Sequence, residues 1–529
     1  MNRFTWDFPY TSQRMPVLAA NVVATSQPLA AQAGLRMLLR GGNAVDAAVA
    51  TAITLTVVEP TMNGIGSDAF ALVWDEMRLQ GLNASGRAPK AWTPARFAHH
   101  KIMPIAGWDS VTVPGVVSGW AALSSRFGKL PFAELCAPAI DYAENGFLVS
   151  PTVARQWQTQ APLLIEQPGF AQAFLPAGRA PMPGQLFRNP AQARTLRTIA
   201  ESRGEAFYRG DLAHKIVAAS RAHGGAMSVE DLAAHQPDWV DPVGHDYRGM
   251  RLHEIPPNGQ GIAALMALGI LSNFELGQSP VDSAHSMHLQ MEAMKLAFAD
   301  VYRYVSDPGF MQVAPSDMLD PAYLRRRAAL IDPARAQDFG HGVPPASGTV
   351  YLTAADAAGM MVSYIQSNYN GFGSGVVVPD TGISLHNRGF GFSLEPGHPN
   401  QVGPAKRPFH TIIPAFVTQS GQPLMSFGVM GADMQPQGHV QMMVRLADYG
   451  QNPQAAADGP RWKVFKGRQI AVENAVAAPV VAELARRGHQ VRQTERWNME
   501  FGASQLIYRM DGGYLAASEP RRDGQALGF

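Results

Sequence analysis

The stretch "GTVYLTAADAAGMMVSYIQSN" (348–368) decides how this chain is read. Two apolar runs, "TVYLTAA" and "MMVSYIQ", flank a turn signal at Asp356–Gly359, the pattern of a β-hairpin. Thr349 is its first strand residue, directly after Gly348. A β-branched residue often simply starts a strand. Threonine there can also do chemistry. Its hydroxyl is a poor nucleophile without an adjacent base. If the bond after Gly348 is cut, Thr349 gains an α-amino group with a pKa of about 7.7–8.0. That amine can take the hydroxyl proton, so one residue is both nucleophile and base.

Outward from the hairpin, the texture changes on either side of residue 348. Downstream, the short apolar runs "GVVVP", "IIPAFVT" and "PLMSFGV" alternate with turn residues, as stacked strands do, before the helical "QGHVQMMVRLADYG" and "APVVAELARRGH". Upstream, residues 115–345 read as mostly helical, the longest amphipathic segment being 281–305. Two further helices are expected between 24 and 60. The first is capped by Ser26 and closes on Gly41 and Gly42. The second runs from an Asn43 cap to Pro60 and is apolar nearly all round, as a helix packed on both sides should be.

Composition narrows the function classes. The chain has 529 residues, 46% hydrophobic and 16% charged, with 43 basic against 42 acidic side chains. That balance argues against bulk-charge binding to nucleic acid or anionic membrane. Cys136 is the only cysteine, so neither an internal disulfide nor a thiolate metal cluster is available, and within "FAELCAPAI" it reads as a small buried hydrophobe. With no secretory leader and no 18-residue apolar run, a soluble cytoplasmic protein is expected. His285, His288 and Glu292 share a helix face at i, i+3 and i+7, which interhelix packing explains better than a metal. "GIGSDA" (64–69) matches a dinucleotide pattern on paper, but it follows a helix and leads into a strand, the reverse of the required context.

The chain resembles the γ-glutamyltranspeptidase family of N-terminal-nucleophile hydrolases. The resemblance rests on "ATSQPLAAQAGLRMLLRGGNAVDAAVATAITLTVVEP" (24–60), "GIGSDAF" (64–70), "SDPGF" (306–310), residues 349–383, "GPAKRPFHTIIPAFV" (403–417) and "AASEPRRDGQALGF" (516–529). It implies an α+β fold, a four-layer αββα sandwich built jointly by a large subunit (1–348) and a small one (349–529) after self-cleavage between Gly348 and Thr349. Together they form one composite domain, and the resemblance allows pairing as a dimer of heterodimers. It implies Thr349 as nucleophile, Ser367 as hydrogen-bond partner of its amine, and Gly431 and Ala432 as oxyanion donors. No cofactor or metal is implied.

Departures from the family pattern concentrate in substrate recognition. The Asn, Gln and Asp that hold a γ-glutamyl α-ammonium read Tyr369, Arg388 and Gly391. The paired serines read His410 and Thr411, and the carboxylate-clamping arginine reads Ser85, with Arg87 two residues on. A cation repels an ammonium, so the expected substrate is a small-molecule amide whose acyl part is anionic and lacks an α-amino group, such as an oxamate or glutaryl amide. Arg388, Arg87 and His410 are expected to form the anion site, with Thr411, Tyr369 and Asn387 beside it. The alternatives are a γ-glutamyltransferase or glutathione hydrolase, a cephalosporin or glutaryl acylase, and an uncleaved, non-catalytic binding protein.

Overall fold

A computed structural model describes residues 13–340, 349–495 and 498–529. Gly348, on one side of the expected cleavage point, lies outside them. Two seven-stranded sheets pack face to face. The first has the order Gln525–Gly528, Val22–Thr25, Val350–Ala355, Met361–Ser367, Asp68–Trp74, Leu79–Ala84 and Asp238–Val240. The second has the order Val17–Ala19, Gly513–Ser518, Ala503–Met510, Gln422–Met430, Ala415–Gln419, Met250–Glu254 and Val243–Tyr247. Both draw strands from each side of residue 349. The change of texture at 348 therefore does not separate two folding units.

Helices cover the outer faces and complete four layers. Ala44–Val58 lies on the strands Val350–Ala355 and Met361–Ser367 and beneath the helices Pro28–Leu39 and Phe132–Asn145. All its residues are buried, which is why its sequence has no polar stripe. On the second sheet, Ile262–Leu271, Ala284–Tyr304 and Met434–Ala447 bury a separate apolar core. Every residue of the central strands Val350–Ala355 and Met361–Ser367 is buried, because both faces are covered; this is why they run apolar without alternating.

Helix ends agree with the sequence in one case and not in another. Asn43 caps the second helix and shares a reciprocal capping box with Asp46. The first helix is capped by the Gln27 side chain, not Ser26. The Ser26 hydroxyl instead donates to Glu59 at 2.5 Å, at the far end of the second helix.

The segment 115–345 also supplies strands Asp238–Val240, Val243–Tyr247 and Met250–Glu254, which the helical reading missed. His288 and Glu292 of the long helix converge with His489, which directly precedes the strand Gln490–Gln493; His285 points towards Arg487. Protein partners take up most of their polar atoms. His288 Nε2–H donates to the Asp332 carbonyl, so its Nδ1 accepts from His489 Nε2 at 2.8 Å. Glu292 accepts from Lys295 and from the Gln337 amide.

Candidate active site

Hairpin register builds the centre of the site. Val350 pairs with Gln366, and Met361 with Ala355. The same register sets Thr349 opposite Ser367, and the neighbouring ladder sets Ser367 opposite Asp68. The Thr349 hydroxyl donates to Ser367 Oγ at 3.1 Å, and the Tyr369 amide donates to the same oxygen at 2.7 Å. Thr349, Ser367 and Asp68 are all buried. Gly359, at φ 101°, turns the hairpin, and the Asp356 carboxylate ties the turn to the start of the Ala44–Val58 helix through the Ala44 amide at 2.8 Å. A carboxylate there also meets the positive end of the helix dipole.

The facing sheet brings the second half of the site. The inner faces are joined by Thr353 Oγ1 to Ser426 Oγ at 2.6 Å and by the Ser363 hydroxyl to the Phe427 carbonyl at 3.3 Å. Gly428 fits under the Tyr351 ring, where a Cβ would lie 2.4 Å from a ring carbon. Beyond this strand the chain bends through Gly431 and Ala432, at φ 133° and 52°. Gln260 Nε2 braces the bend, donating to the carbonyls of Ala432 (2.7 Å) and Thr411 (2.6 Å). The Ala432 carbonyl is thereby occupied, while the Gly431 and Ala432 amides donate to no described group. Free backbone donors on a braced turn are what an oxyanion requires. Tyr369, at φ 76°, is a second non-glycine residue in the left-handed region; such strain persists where the surroundings enforce it.

Tyr369, Thr411, Ala432 and Asp433 line a cavity of about 730 Å³, whose remaining wall is largely apolar and aromatic, including Tyr302, Phe390, Phe392 and Phe409. Arg388 is fully buried behind it. Its guanidinium sits over the Tyr369 ring at 4.3 Å and donates from Nη1 to Thr411 Oγ1 at 2.8 Å, while Nε and Nη2 have no partner among the described residues. Burial lowers the Arg388 guanidinium to about 10, so it remains cationic at neutral pH. Burial alone would raise the Asp68 carboxyl, but His386, His410 and Arg388 outweigh it and hold Asp68 well below the usual carboxylate range. Asp68 also accepts from the Gly86 and Gly115 amides at 3.1 and 3.0 Å.

Three expected substrate contacts are placed otherwise. The His410 ring uses both nitrogens inside the protein: Nδ1 accepts from the Ile412 amide, so Nε2–H donates to Asp68 at 3.2 Å. Burial, then Arg388, lowers His410 to about 3; it is neutral and positions Asp68. Arg87 is half-exposed, pairs with Asp307 at 2.9 Å, and lines a different hollow with Lys90 and His235. The two-residue offset from Ser85 carries it away from Arg388. The Asn387 amide joins loops, accepting from the Asn370 amide and donating to the Ile105 carbonyl. Of the residues expected to hold an anion, Arg388, Thr411 and Tyr369 are the ones the structure brings together at the cavity.

Asp68, His386, Gln260, Asp433 and Lys463 belong to the site without having been singled out in the sequence. Asp68 lies within "GIGSDAF", Asp433 directly follows Ala432, and His386 lies two residues before Arg388, but none of the three was given a role. The others sit on separate elements, with no spacing that links them. Gly391 also lines the cavity, and a Cβ there would lie 2.6 Å from the Phe409 carbonyl oxygen, so the loop is packed for glycine where the family pattern has an acid.

Residues 30–529 match the gamma-glutamyltranspeptidase family model. The chain is 38% identical over 523 residues to the glutathione hydrolase-like YwrD proenzyme of Bacillus subtilis, covering 96% of this chain and 98% of that one. It is 36% identical to the oxamate amidohydrolase proenzyme of Klebsiella pneumoniae, covering 95% and 97%. The crystal structure of cephalosporin acylase from Bacillus halodurans superposes with a TM-score of 0.96 at 48% identity, over 100% of this chain and 99% of that one. With a threonine-headed hairpin inside an αββα sandwich, and agreement along nearly the whole length, the chain belongs to the gamma-glutamyltranspeptidase family of N-terminal-nucleophile hydrolases, enzymes that break or exchange C–N bonds.

Proposed function

We propose that the chain is an amidohydrolase matured by cleavage between Gly348 and Thr349, with an anionic acyl group and a bulky, largely apolar remainder in its substrate. The freed Thr349 amine takes the hydroxyl proton, and Oγ1 attacks the amide carbonyl. The Gly431 and Ala432 amides hold the oxyanion, the amine leaves with the proton, and water hydrolyses the acyl-threonine. Ser367 keeps the hydroxyl and amine aligned. Arg388 receives the acyl anion.

The observation that carries this reading is the buried Arg388 guanidinium, with two donor nitrogens unpartnered beside the cavity. A planar donor fork without a partner suits a carboxylate. The size of the cavity, about 730 Å³, favours amides larger than oxamate and so supports an acylase-like preference, as in a glutaryl amide of an aromatic amine. The relatives' names span oxamate, glutathione and acylase activities, and the acid expected for an α-ammonium is absent at Gly391.

Mass spectrometry of the purified protein tests maturation: two fragments are expected, the smaller beginning at Thr349, and Thr349→Ala should leave one inactive chain. Glutaryl, oxamate and γ-glutamyl amides assayed side by side test the substrate. A preference for the γ-glutamyl donor would overturn the role given to Arg388.

A further inference from the structure

Two residues of the cavity wall each bury a polar atom that has no hydrogen-bond partner among the described residues: Asp433 (Oδ2) and Tyr302 (Oη). They come from opposite sides of the cleavage point. Tyr302 lies in the last turn of the helix Ala284–Tyr304, its ring stacked on Phe298 and tilted against Phe409. Asp433 directly follows Ala432 and is 2% exposed.

Both Asp433 oxygens take part in an ion pair with Lys463, but only one of them receives a hydrogen bond. The Asp433 side chain makes no capping bond to the helix Met434–Ala447 that it precedes. Oδ1 accepts from the buried Lys463 ammonium at 3.2 Å; Oδ2 lies 3.1 Å from the same nitrogen without accepting a hydrogen bond. Lys463 therefore balances the charge and leaves an acceptor open. An unmet buried acceptor is costly, and persists where a ligand completes it. Because the charge is already balanced, a neutral donor suits the position better than a cation.

Building on the amidohydrolase reading, we infer that Asp433 Oδ2 and the Tyr302 hydroxyl form a second polar contact for the substrate. They receive a neutral hydrogen-bonding group, a hydroxyl or carboxamide, carried by its bulky apolar part. The substrate is then held at two separated points, an anion at Arg388 and this group at Asp433 and Tyr302, with the scissile amide brought to Thr349 and Ala432.

Matched glutaryl anilides test the contact: unsubstituted, and bearing a hydroxyl or carboxamide at each ring position, assayed on matured wild-type enzyme, Tyr302→Phe and Asp433→Asn. At least one substituted anilide should exceed its parent by about tenfold or more in kcat/KM. Both variants should bring that ratio close to one. A wild-type ratio near one for every substituent, or a preference that survives both substitutions, overturns the contact while leaving the amidohydrolase reading intact. Matured enzyme that cleaves no anilide, or Thr349→Ala that cleaves them all, takes both down.

Discussion

At the residue scale, the site depends on how few side chains are free. His410, Asn387 and Arg87 each have chemistry suited to an anion, yet hydrogen bonds and an ion pair already engage them. Arg388 has free donors. Arg388→Lys keeps a counter-charge near Asp68 but loses the planar fork, so KM for an anionic-acyl amide should rise about tenfold or more with little change in Tm. A steady-state comparison with a neutral-acyl amide checks this, since that substrate should be affected far less. Ala432, at φ 52°, holds a conformation that glycine adopts without steric cost. Ala432→Gly should therefore stabilise the protein by about 1 kcal/mol, read by denaturant unfolding, while its backbone donor is retained. Thr349 was legible as a candidate nucleophile only through the family resemblance, since a β-branched residue at a strand start, taken alone, reads as an ordinary strand residue. The Asp68–His410 pair was not: its partners are 342 positions apart, and only folding brings them together.

At the scale of elements, the hairpin and the Ala44–Val58 helix act as one unit. Asp356 spends its carboxylate on the Ala44, Ala358 and Met360 amides. Asp356→Ala should cost about 1–2 kcal/mol, measured as a shift in the unfolding midpoint. At the other end of that helix, burial raises Glu59 to about 7, against the pull of the Ser26 hydroxyl and Arg522. A carboxyl whose folded-state pKa lies above its unfolded value of about 4.5 favours the folded state most at acid pH. That advantage is lost as pH rises from about 4.5 to 7. Glu59→Gln should accordingly gain stability relative to wild type as pH rises from 5 to 8, by up to about 3 kcal/mol. Paired thermal melts across that range would show a constant difference if Glu59 titrates normally. The helix itself could be read from its uniform apolarity and its Asn43 cap. The first helix was misread at its cap because Ser26 and Gln27 are both capable acceptors, and the choice between them rests on Glu59, which is distant in sequence.

At the scale of the whole molecule, the layered architecture followed from the family resemblance and not from the period of the chain. Strands buried on both faces lose the alternation that would have marked them, and the three strands between 238 and 254 were hidden in a helical neighbourhood. The two sheets interleave the proposed large and small subunits. In the first sheet, Val350–Ala355 and Met361–Ser367 lie between Val22–Thr25 and Asp68–Trp74. Matured enzyme should therefore melt in a single calorimetric transition despite its cut chain. Two resolved transitions would mean that the pieces are separate folding units.

That interleaving gives maturation a direction in time. An intact precursor reaches its native state from one molecule, at a rate indifferent to dilution. Once the backbone is opened, denatured enzyme must recover by an encounter between two strangers, each lacking strands that its sheets need from the other. Dilution then slows recovery, and free halves expose sticky edges that favour aggregation. The cut proposed to arm the threonine would thus also make a heat-killed enzyme hard to revive.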